Sequence, residues 1–292
     1  MSRALATLAT LLLLAACSST GHRPPARAAA ARSPQPRVSS YVALGDSYTA
    51  APYVPLTDIA NGCFRSDHNY PSLVAKSLHV RRFRDVSCSG ATTRDVTGRQ
   101  QTVPSRGVSV PPQLRAVHRD TDLVTVGLGG NDFGISGMLL HSCPAAQASC
   151  LPRAAVPRIR RSIAALRPRL VATLRLVQRR APRATVLLVG YPKVAPDHGS
   201  CSRLPALTQS ALAVLNRLNH DLDGTMAAAA RDTGAGYVDV YRPSIGHDIC
   251  ARVPWVNGVR TDPGRAAAMH PFGIEQRAVA RLVLARLSQR SR

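Results

Sequence analysis

A short apolar run that stops at a small polar turn constrains this chain more than any other stretch. Residues 41–44 (Tyr-Val-Ala-Leu) are typical of a buried parallel strand, and the run ends at Gly45-Asp46-Ser47. A hydroxyl at this point lies at the carboxyl edge of a sheet, where α/β proteins bind ligands. Ser47 is therefore a candidate nucleophile whose backbone N–H can face developing negative charge. The alternative is that Ser47 caps the following helix.

The rest of the chain alternates between strand and helix patterns. Runs of apolar residues bounded by turn residues predict strands, and apolar spacings of three and four residues predict amphipathic helices. The strands are predicted at 82–86, 122–128, 185–191 and 236–240, and the helices at 69–78, 157–180, 206–231 and 270–288. This alternation favours a parallel sheet with helices on both faces. Pro168 is expected to kink or divide the helix at 157–180.

Three more polar or small residues stand at the ends of predicted elements. Gly90 follows strand 82–86, where the missing Cβ lets a backbone N–H approach a ligand; a plain turn is the alternative. Asn131 follows strand 122–128 and offers a side-chain amide donor, although Asn after Gly-Gly is also a common turn residue. His270 precedes the last helix, and an imidazole titrates near neutral pH, as a general base should. A surface or capping role is the alternative for His270.

Together with Ser47, three sequence blocks resemble the SGNH, or GDSL, family of lipases and esterases. The blocks are 88–93 (Cys-Ser-Gly-Ala-Thr-Thr), 129–132 (Gly-Gly-Asn-Asp) and 269–272 (Met-His-Pro-Phe). The resemblance extends over nearly all of the chain after residue 38 and is strongest for secreted actinomycete lipases with three disulfides. It implies a three-layer α/β/α sandwich with a five-stranded parallel sheet, the flavodoxin-like SGNH hydrolase fold, over residues 38–292.

The resemblance also implies a chemistry, namely that of a serine carboxylic-ester hydrolase with an acyl-serine intermediate. Ser47 matches the nucleophile of the family and His270 matches its base. The N–H of Ser47, the N–H of Gly90 and the side-chain amide of Asn131 match the donors of the oxyanion hole. Neither a cofactor nor a metal is implied.

One position departs from the family pattern, because Ala267 stands where an Asp usually orients the histidine. Some members of the family use a main-chain carbonyl instead. We therefore expect the C=O of Ala267 to orient His270 in a Ser–His dyad, with the carboxylate of Asp262 as the second candidate. A neutral carbonyl can fix the tautomer of the imidazole, but it stabilises an imidazolium less than a carboxylate does.

Cysteine usage indicates an oxidising compartment. Six cysteines follow Cys17, and an even number in an exported protein favours three disulfides. Six cysteines allow 15 pairings, so the residues alone do not select one. The family resemblance implies the pairs Cys63–Cys88, Cys143–Cys150 and Cys201–Cys250. The spacings Cys-x-x-Cys and His-x-x-x-His are absent from the sequence, so a metal role is not expected.

The first part of the chain is predicted to be a leader and a tether. Residues 1–17 have a basic start, a short apolar segment and the sequence Leu-Ala-Ala-Cys, which resembles the lipobox of bacterial lipoproteins. An ordinary secretory signal is the alternative. Residues 18–37 are rich in Ser, Pro, Ala and Arg, which is typical of a disordered tether; a processed leader is the alternative. We expect an exported monomer that is either held on the outer face of the membrane by lipidated Cys17 or secreted.

The formal net charge of +22 would ordinarily indicate a polyanionic partner. The basic residues are almost all Arg, with only Lys76 and Lys193 as lysines, and no aromatic residues are interleaved with them to stack on bases. Nucleic-acid binding is therefore not expected, whereas attraction to an anionic envelope or membrane surface is.

Substrate choice depends on three predicted loops, 50–67, 97–112 and 133–152, which are expected to wall the pocket. Besides the hydrolysis of acyl esters, two functions fit the same residues. One is the removal of acetyl groups from envelope or plant polysaccharide. The other is a non-catalytic, envelope-binding lipoprotein that kept the fold and lost turnover.

Overall fold

The structure, a computed structural model, describes four segments of the 292-residue chain: residues 38–102, 108–140, 154–204 and 207–290. All four fall within one compact unit, Ser33–Arg292. The predicted leader at 1–17, the predicted tether at 18–37 and the predicted Cys143–Cys150 bridge lie outside the described residues.

Five parallel strands form the central sheet. They are β1 Ser40–Gly45, β2 Arg82–Asp85, β3 Leu123–Gly127, β4 Thr185–Val189 and β5 Gly236–Val238, and their order in the sheet is β2-β1-β3-β4-β5. Strands β2 to β5 each fall within a predicted run, and β1 extends the predicted run 41–44 by one residue at each end. The neighbouring interior strands β1 and β3 are buried along their whole lengths, as continuous apolar runs predict for a parallel sheet.

The register of the sheet brings the turns that carry Ser47 and Asn131 to the same edge. Tyr41 on β1 pairs with Leu123 on β3, and Gly45 pairs with Gly127 at the carboxyl ends of these strands. Strand β2 lies on the other side of β1, with Ala43 opposite Asp85. The turns that follow β1, β2 and β3 therefore begin side by side.

Helices cover the sheet, which confirms the predicted three-layer sandwich. The helices are α1 Ser47–Ala50, α2 Tyr70–Ser77, α3 Ile135–Leu140, α4 Ala155–Arg180, α5 Gln209–Thr233 and α6 Gly273–Arg290. Helix α4 packs on α5, and α2 packs on α6. None of the helices in the described part of the chain is both long and apolar enough to span a bilayer.

The long helices agree with the sequence, with two corrections. The residues of α4 that the spacing placed inside are buried, and α4 continues through Pro168 as one helix, so this proline does not divide it. Helix α5 ends at Gly234, whose φ of 68° suits a glycine. Helix α6 begins at Gly273 rather than at His270, because the residues before it pair with an extended segment: Pro271 bridges Val256, and the N–H of Phe272 is donated to the carbonyl of Trp255.

The inward face of α6 also differs from the prediction. The apolar spacing of the sequence predicts one face formed by Ile274, Ala278, Leu282 and Ala285. Of these, Ala278 is buried but Ala285 is exposed, and Val279, Val283 and Leu287 are buried as well. The buried stripe of Glu275, Val279, Val283 and Leu287 lies one position further along the helix than the predicted residues 274, 278 and 282. Buried Glu275 and Gln276 belong to the same inward face, and a pattern based on apolar residues passes over them.

Two of the predicted loops contain short antiparallel pairs. Thr57–Asp58 pairs with Arg65–Ser66 in the first loop, and Gln100–Gln101 pairs with Ser109–Val110 in the second. The disulfides Cys63–Cys88 and Cys201–Cys250 are both formed, which confirms two of the three predicted pairings. The Cys63–Cys88 bridge ties the loop after α1 to the segment that follows β2.

Candidate active site

Ser47 is the first residue of α1, immediately beyond the carboxyl end of β1. Asp46, not Ser47, caps this helix, because its Oδ1 accepts the N–H of Tyr48 at 2.9 Å. Gly45 is required before it, since a Cβ at this position would lie 2.1 Å from Oγ1 of Thr49. Gly45 therefore forms the turn and Asp46 caps the helix. The alternative that Ser47 caps the helix is wrong.

Gly45 joins this turn to the segment that carries Gly90. The carbonyl of Gly45 accepts the N–H of Cys88 at 3.0 Å. The side chain of Gln113 binds the same glycine twice, accepting its N–H at 2.9 Å and donating to its carbonyl at 2.9 Å. Because these bonds are buried, they fix the segment after β2 against the end of β1.

Asp46 joins the turn to the segment that carries Asn131. The hydroxyl of Tyr191 donates to Oδ2 of Asp46 at 2.5 Å, and the N–H of Gly130 donates to the same Tyr191 oxygen at 2.9 Å. Burial raises the pKa of Asp46 to about 7, although the hydrogen bonds from Tyr191 and Tyr48 oppose the shift. A carboxyl so deeply enclosed serves as a structural anchor for the turn.

Tyr48 joins the turn to the segment that carries His270. Its hydroxyl donates to the carbonyl of Met269 at 2.7 Å, and its ring centroid lies 5.6 Å from that of His270. The side chain of Gln276 on α6 donates to the carbonyl of Tyr48 at 3.0 Å. The segment before α6 is thus held directly against the residue next to Ser47.

Gly90 and Asn131 are brought together by bonds between their own segments. Gly90 has a φ of 81°, a conformation that glycine adopts without strain. Asn131 donates its side-chain N–H to the carbonyl of Ala91 at 3.0 Å, and the carboxylate of Asp132 accepts the N–H of Thr93 at 2.9 Å. Within the described residues, the backbone N–H groups of Ser47 and Gly90 are donated to no acceptor, so both remain available to a ligand.

The imidazole of His270 is oriented by a main-chain carbonyl, one residue later than predicted. Its Nδ1 lies 2.7 Å from the carbonyl oxygen of Ala268. Met269, between them, has a φ of 60°, so the chain turns sharply and brings this carbonyl under the ring. A carbonyl only accepts, so Nδ1 carries the proton and the lone pair of the neutral imidazole is on Nε2.

The two predicted orienting groups have other partners. The carbonyl of Ala267 accepts the N–H of His270 at 3.2 Å and the side-chain amide of Asn257 at 3.1 Å, so the prediction for Ala267 was wrong by one residue. The carboxylate of Asp262 forms a salt bridge with Arg265 at 3.1 Å instead of contacting the imidazole.

Asn257 is a supporting residue that the sequence did not reveal. Its buried side-chain amide donates to the carbonyls of Arg260, Ala266 and Ala267 at 2.8, 3.0 and 3.1 Å. Its backbone N–H is donated to the carbonyl of His270 at 2.8 Å. One side chain thus holds together the irregular segment that presents the histidine. This segment has no apolar periodicity, so the sequence gives no signal for the role of Asn257.

A buried carboxyl follows the segment that presents His270, residues 257–272, which we call the histidine segment. Glu275, in the first turn of α6, is buried, and burial raises its pKa to about 8. The neighbouring Gln276 donates to it at 2.7 Å and opposes the shift of the pKa.

Within the described residues, no group of three or more His, Cys, Asp or Glu side chains is arranged to hold a metal ion.

Comparison with known proteins identifies the family. A sequence model of the GDSL-like Lipase/Acylhydrolase family matches residues 43–271. This chain belongs to that family. It is 33% identical over 262 residues to a lipase from Streptomyces rimosus, covering 89% of each chain. It is 34% identical over 261 residues to lipase 2 of Streptomyces coelicolor, covering 86% of this chain and 83% of that one.

Solved structures agree with the family assignment. The crystal structure of an extracellular lipase from Streptomyces rimosus superposes with a TM-score of 0.71 at 31% identity, covering 85% of this chain and 98% of the other. A phospholipase A1 from Streptomyces albidoflavus gives the same TM-score and coverage at 28% identity. The chain therefore has the SGNH hydrolase fold and is a serine ester hydrolase of the GDSL family.

The four residues that the family resemblance singled out lie in segments that the structure joins. Ser47, Asn131 and His270 are half-buried and Gly90 is exposed, so they face an edge that a substrate can reach. The residues that join these segments were mostly missed: Tyr48, Gln113, Tyr191 and Asn257. Tyr191 ends a predicted strand and so occupies the expected edge, but nothing in the sequence pairs it with Asp46.

Proposed function

We propose that this GDSL hydrolase cleaves carboxylic esters of acyl lipids outside the cell, using a Ser47–His270 dyad. The observation that supports the dyad most directly is the 2.7 Å contact between Nδ1 of His270 and the carbonyl of Ala268. A carbonyl in this place orients the ring and fixes its tautomer, which are the positional tasks that an aspartate performs in a triad.

In this proposal, Nε2 of His270 removes the proton from Oγ of Ser47 as the hydroxyl attacks the ester carbonyl. The tetrahedral intermediate is stabilised by the N–H of Ser47, the N–H of Gly90 and the side-chain amide of Asn131. Each donor of this kind contributes roughly 2.7–4 kcal/mol to transition-state stabilisation. His270 then protonates the leaving alcohol, and the same base activates a water that hydrolyses the acyl-serine.

Exposed apolar side chains support an acyl lipid as the substrate. Leu56 and Ile59 are 71% and 43% exposed on the loop after α1, and Phe133 is 41% exposed two residues after Asn131. Apolar side chains exposed on the loops that are predicted to wall the pocket suit contact with acyl chains. The names of the similar proteins (lipase, and phospholipase A1 for one structure) point to the same substrate class.

A fluorophosphonate probe tests the dyad. The parent protein should be labelled, and labelling should disappear in S47A and fall strongly in H270A, with the circular dichroism spectrum of the parent retained. Labelling that persists in S47A would place the nucleophile elsewhere. Folded parent protein that is not labelled would instead favour the envelope-binding role without catalysis.

A substrate panel tests the acyl preference. A series of p-nitrophenyl esters of increasing chain length should show higher kcat/KM for longer chains than for acetate. Acetylated oligosaccharides form the second arm of the panel. Faster release of acetate from the sugars than from the esters would replace the lipid substrate with the polysaccharide O-deacetylase alternative.

We further propose that the chain is exported as a monomer and anchored through Cys17. The proposal rests on the leader predicted at 1–17, the tether predicted at 18–37 and the disulfides, which form in oxidising compartments. Mass spectrometry of the amino-terminal peptide should find diacylglycerol on Cys17, and light scattering should give the mass of one chain. An unmodified peptide that begins after another small residue would instead indicate simple secretion.

A further inference from the structure

A groove of about 590 Å³ lies beside the histidine segment, outside the four proposed catalytic residues. Its floor is apolar and is formed by Val54, by Leu73 from α2, by Phe272 immediately before α6 and by Ile274 in the first turn of α6. None of Ser47, Gly90, Asn131 and His270 lines it. It is therefore a separate concave surface on the side of the molecule where α2 packs on α6.

Three arginines line the groove above this floor, and two of them have no counter-ion. Arg252 and Arg277 are exposed and form no salt bridge with any residue in the described part of the chain. Arg265 is paired with Asp262 at 3.1 Å, and its guanidinium lies 5.1 Å from the ring centroid of Phe272. The groove thus combines uncompensated positive charge with an apolar floor.

We propose that this groove binds the headgroup phosphate of an anionic membrane phospholipid, with the start of an acyl chain on the apolar floor. Guanidinium groups bind phosphate oxygens in a bidentate manner, which suits the unpaired Arg252 and Arg277. A single-stranded nucleic acid would supply the same phosphate, but its bases stack on exposed aromatic faces, and Phe272 is only 8% exposed. The amphipathic lining therefore selects a lipid.

Exposed apolar residues next to the groove indicate that this side of the molecule faces the membrane. Val253 lines the groove and is 43% exposed, and Leu56, which follows the groove residue Pro55, is 71% exposed. Apolar side chains beside basic ones are typical of surfaces that lie in the headgroup region of a bilayer. Membrane contact through the groove would also place the histidine segment, which contributes Phe272 to it, close to the lipid.

Vesicle binding tests the proposal with a matched pair of charge reversals. R252E/R277E removes the unpaired arginines of the groove. R81E/R119E makes the same change of charge at exposed arginines that precede β2 and β3, at the opposite edge of the sheet, and that form no salt bridge in the described residues. All proteins are full-length and carry C17S, so that lipid attachment does not contribute.

The readout is the fluorescence of Trp255, the single tryptophan of the chain, which follows the groove residue Pro254. Vesicles containing phosphatidylglycerol brominated in its acyl chains should quench Trp255 in the parent and in R81E/R119E. In R252E/R277E, the lipid concentration for half-maximal quenching should rise at least tenfold. Vesicles of brominated phosphatidylcholine alone should quench weakly in all three proteins.

Two results would overturn the proposal. Equal losses in both double variants would mean that the net charge of the chain, not the groove, attracts the membrane. Unchanged quenching in R252E/R277E would remove the two arginines from the interface. Hydrolysis of a soluble short-chain ester should be the same in all three proteins, because neither Arg252 nor Arg277 is part of the proposed catalytic site. Failure of the groove proposal can therefore be distinguished from failure of the proposed dyad.

Discussion

At the scale of single residues, Ser47 is positioned by its neighbours. Gly45 is bound by Gln113 and by the N–H of Cys88, Asp46 is bound by Tyr191, and Tyr48 binds the carbonyl of Met269. Each neighbour contacts a different segment of the site. Positioning by hydrogen bonds that are themselves buried holds a catalytic constellation more rigidly than contacts on the surface do.

The histidine segment gives a contrast between two polar residues. N257D should lower kcat on a soluble ester at least tenfold and the free energy of unfolding by about 2 kcal/mol, because it removes the donors of three backbone carbonyls, one of them in the buried bond to Ala266. D262A should change kcat less than about threefold, since the salt bridge that its carboxylate forms among the described residues is with exposed Arg265. A loss of about a thousandfold in D262A, with the fold intact, would make Asp262 a member of a triad.

Glu275 should make stability depend on pH. Because burial raises its folded pKa to about 8 from an unfolded value of 4.5, its contribution to stability is complete below about pH 4.5 and is lost as the pH rises through 8. E275Q remains neutral throughout. Between pH 5 and 8, the free energy of unfolding of the parent should therefore fall by about 3 kcal/mol more than that of E275Q, measured by urea titration. If the free energies of unfolding of the parent and of E275Q changed in parallel with pH, Glu275 would ionise in the folded protein at little cost in free energy.

At the scale of elements, the sequence predicts what periodicity and turn residues determine. All five strands, α4 and α5 could be located because their apolar spacing is regular and Gly234 marks the end of α5. The start of α6 could not, because it depends on a long-range bond between Phe272 and Trp255. The choice of Ala268 over Ala267 was equally hidden, since it follows from the left-handed φ of Met269, which no local pattern signals.

The junction between β1 and α1 should tolerate no side chain at Gly45. G45A would place its Cβ 2.1 Å from Oγ1 of buried Thr49, which should displace α1 and reduce stability by about 2 kcal/mol or more. The rate of ester hydrolysis should fall together with stability, because Ser47 moves with the helix.

G224A is the control. Gly224 is exposed within α5 and its added Cβ would meet no neighbouring group within 4 Å, so alanine there should stabilise the fold by about 0.5–1 kcal/mol. Thermal unfolding and an ester assay report both effects, and parent-like behaviour of G45A would contradict them.

At the scale of the whole molecule, the disulfides restrain the irregular segments around a regular sheet. Cys63–Cys88 spans 25 residues of sequence and ends two residues before Gly90, and the N–H of Ser89 is donated to the carbonyl of Cys63 at 3.0 Å. Cys201–Cys250 spans 49 residues and joins the segment before α5 to the segment that leads to the histidine. Both bridges lie outside the strands, so each restrains the substrate-facing side more than the core.

Removing either bridge should weaken the fold, but the effects on catalysis should differ. C63S/C88S and C201S/C250S should each lower the free energy of unfolding by about 3–4 kcal/mol on the chain-entropy model. Only C63S/C88S loosens the segment that carries Gly90, so it should lower kcat more than C201S/C250S does. Urea titration and steady-state kinetics below the unfolding transition measure the two effects. Equal losses of kcat would show that the bridges act only through global stability.

The hydrogen bonds of Tyr48 have a consequence for how inhibition could be observed. Its hydroxyl donates to the carbonyl of Met269, and its own carbonyl accepts a hydrogen bond from the side chain of Gln276. Tyr48 therefore links α1 to the first turn of α6. An organophosphonate attached to Ser47 should therefore slow amide hydrogen exchange in that opening turn. Inhibitor occupancy would then be recorded near the carboxyl terminus, more than 200 residues along the chain from the serine that it modifies.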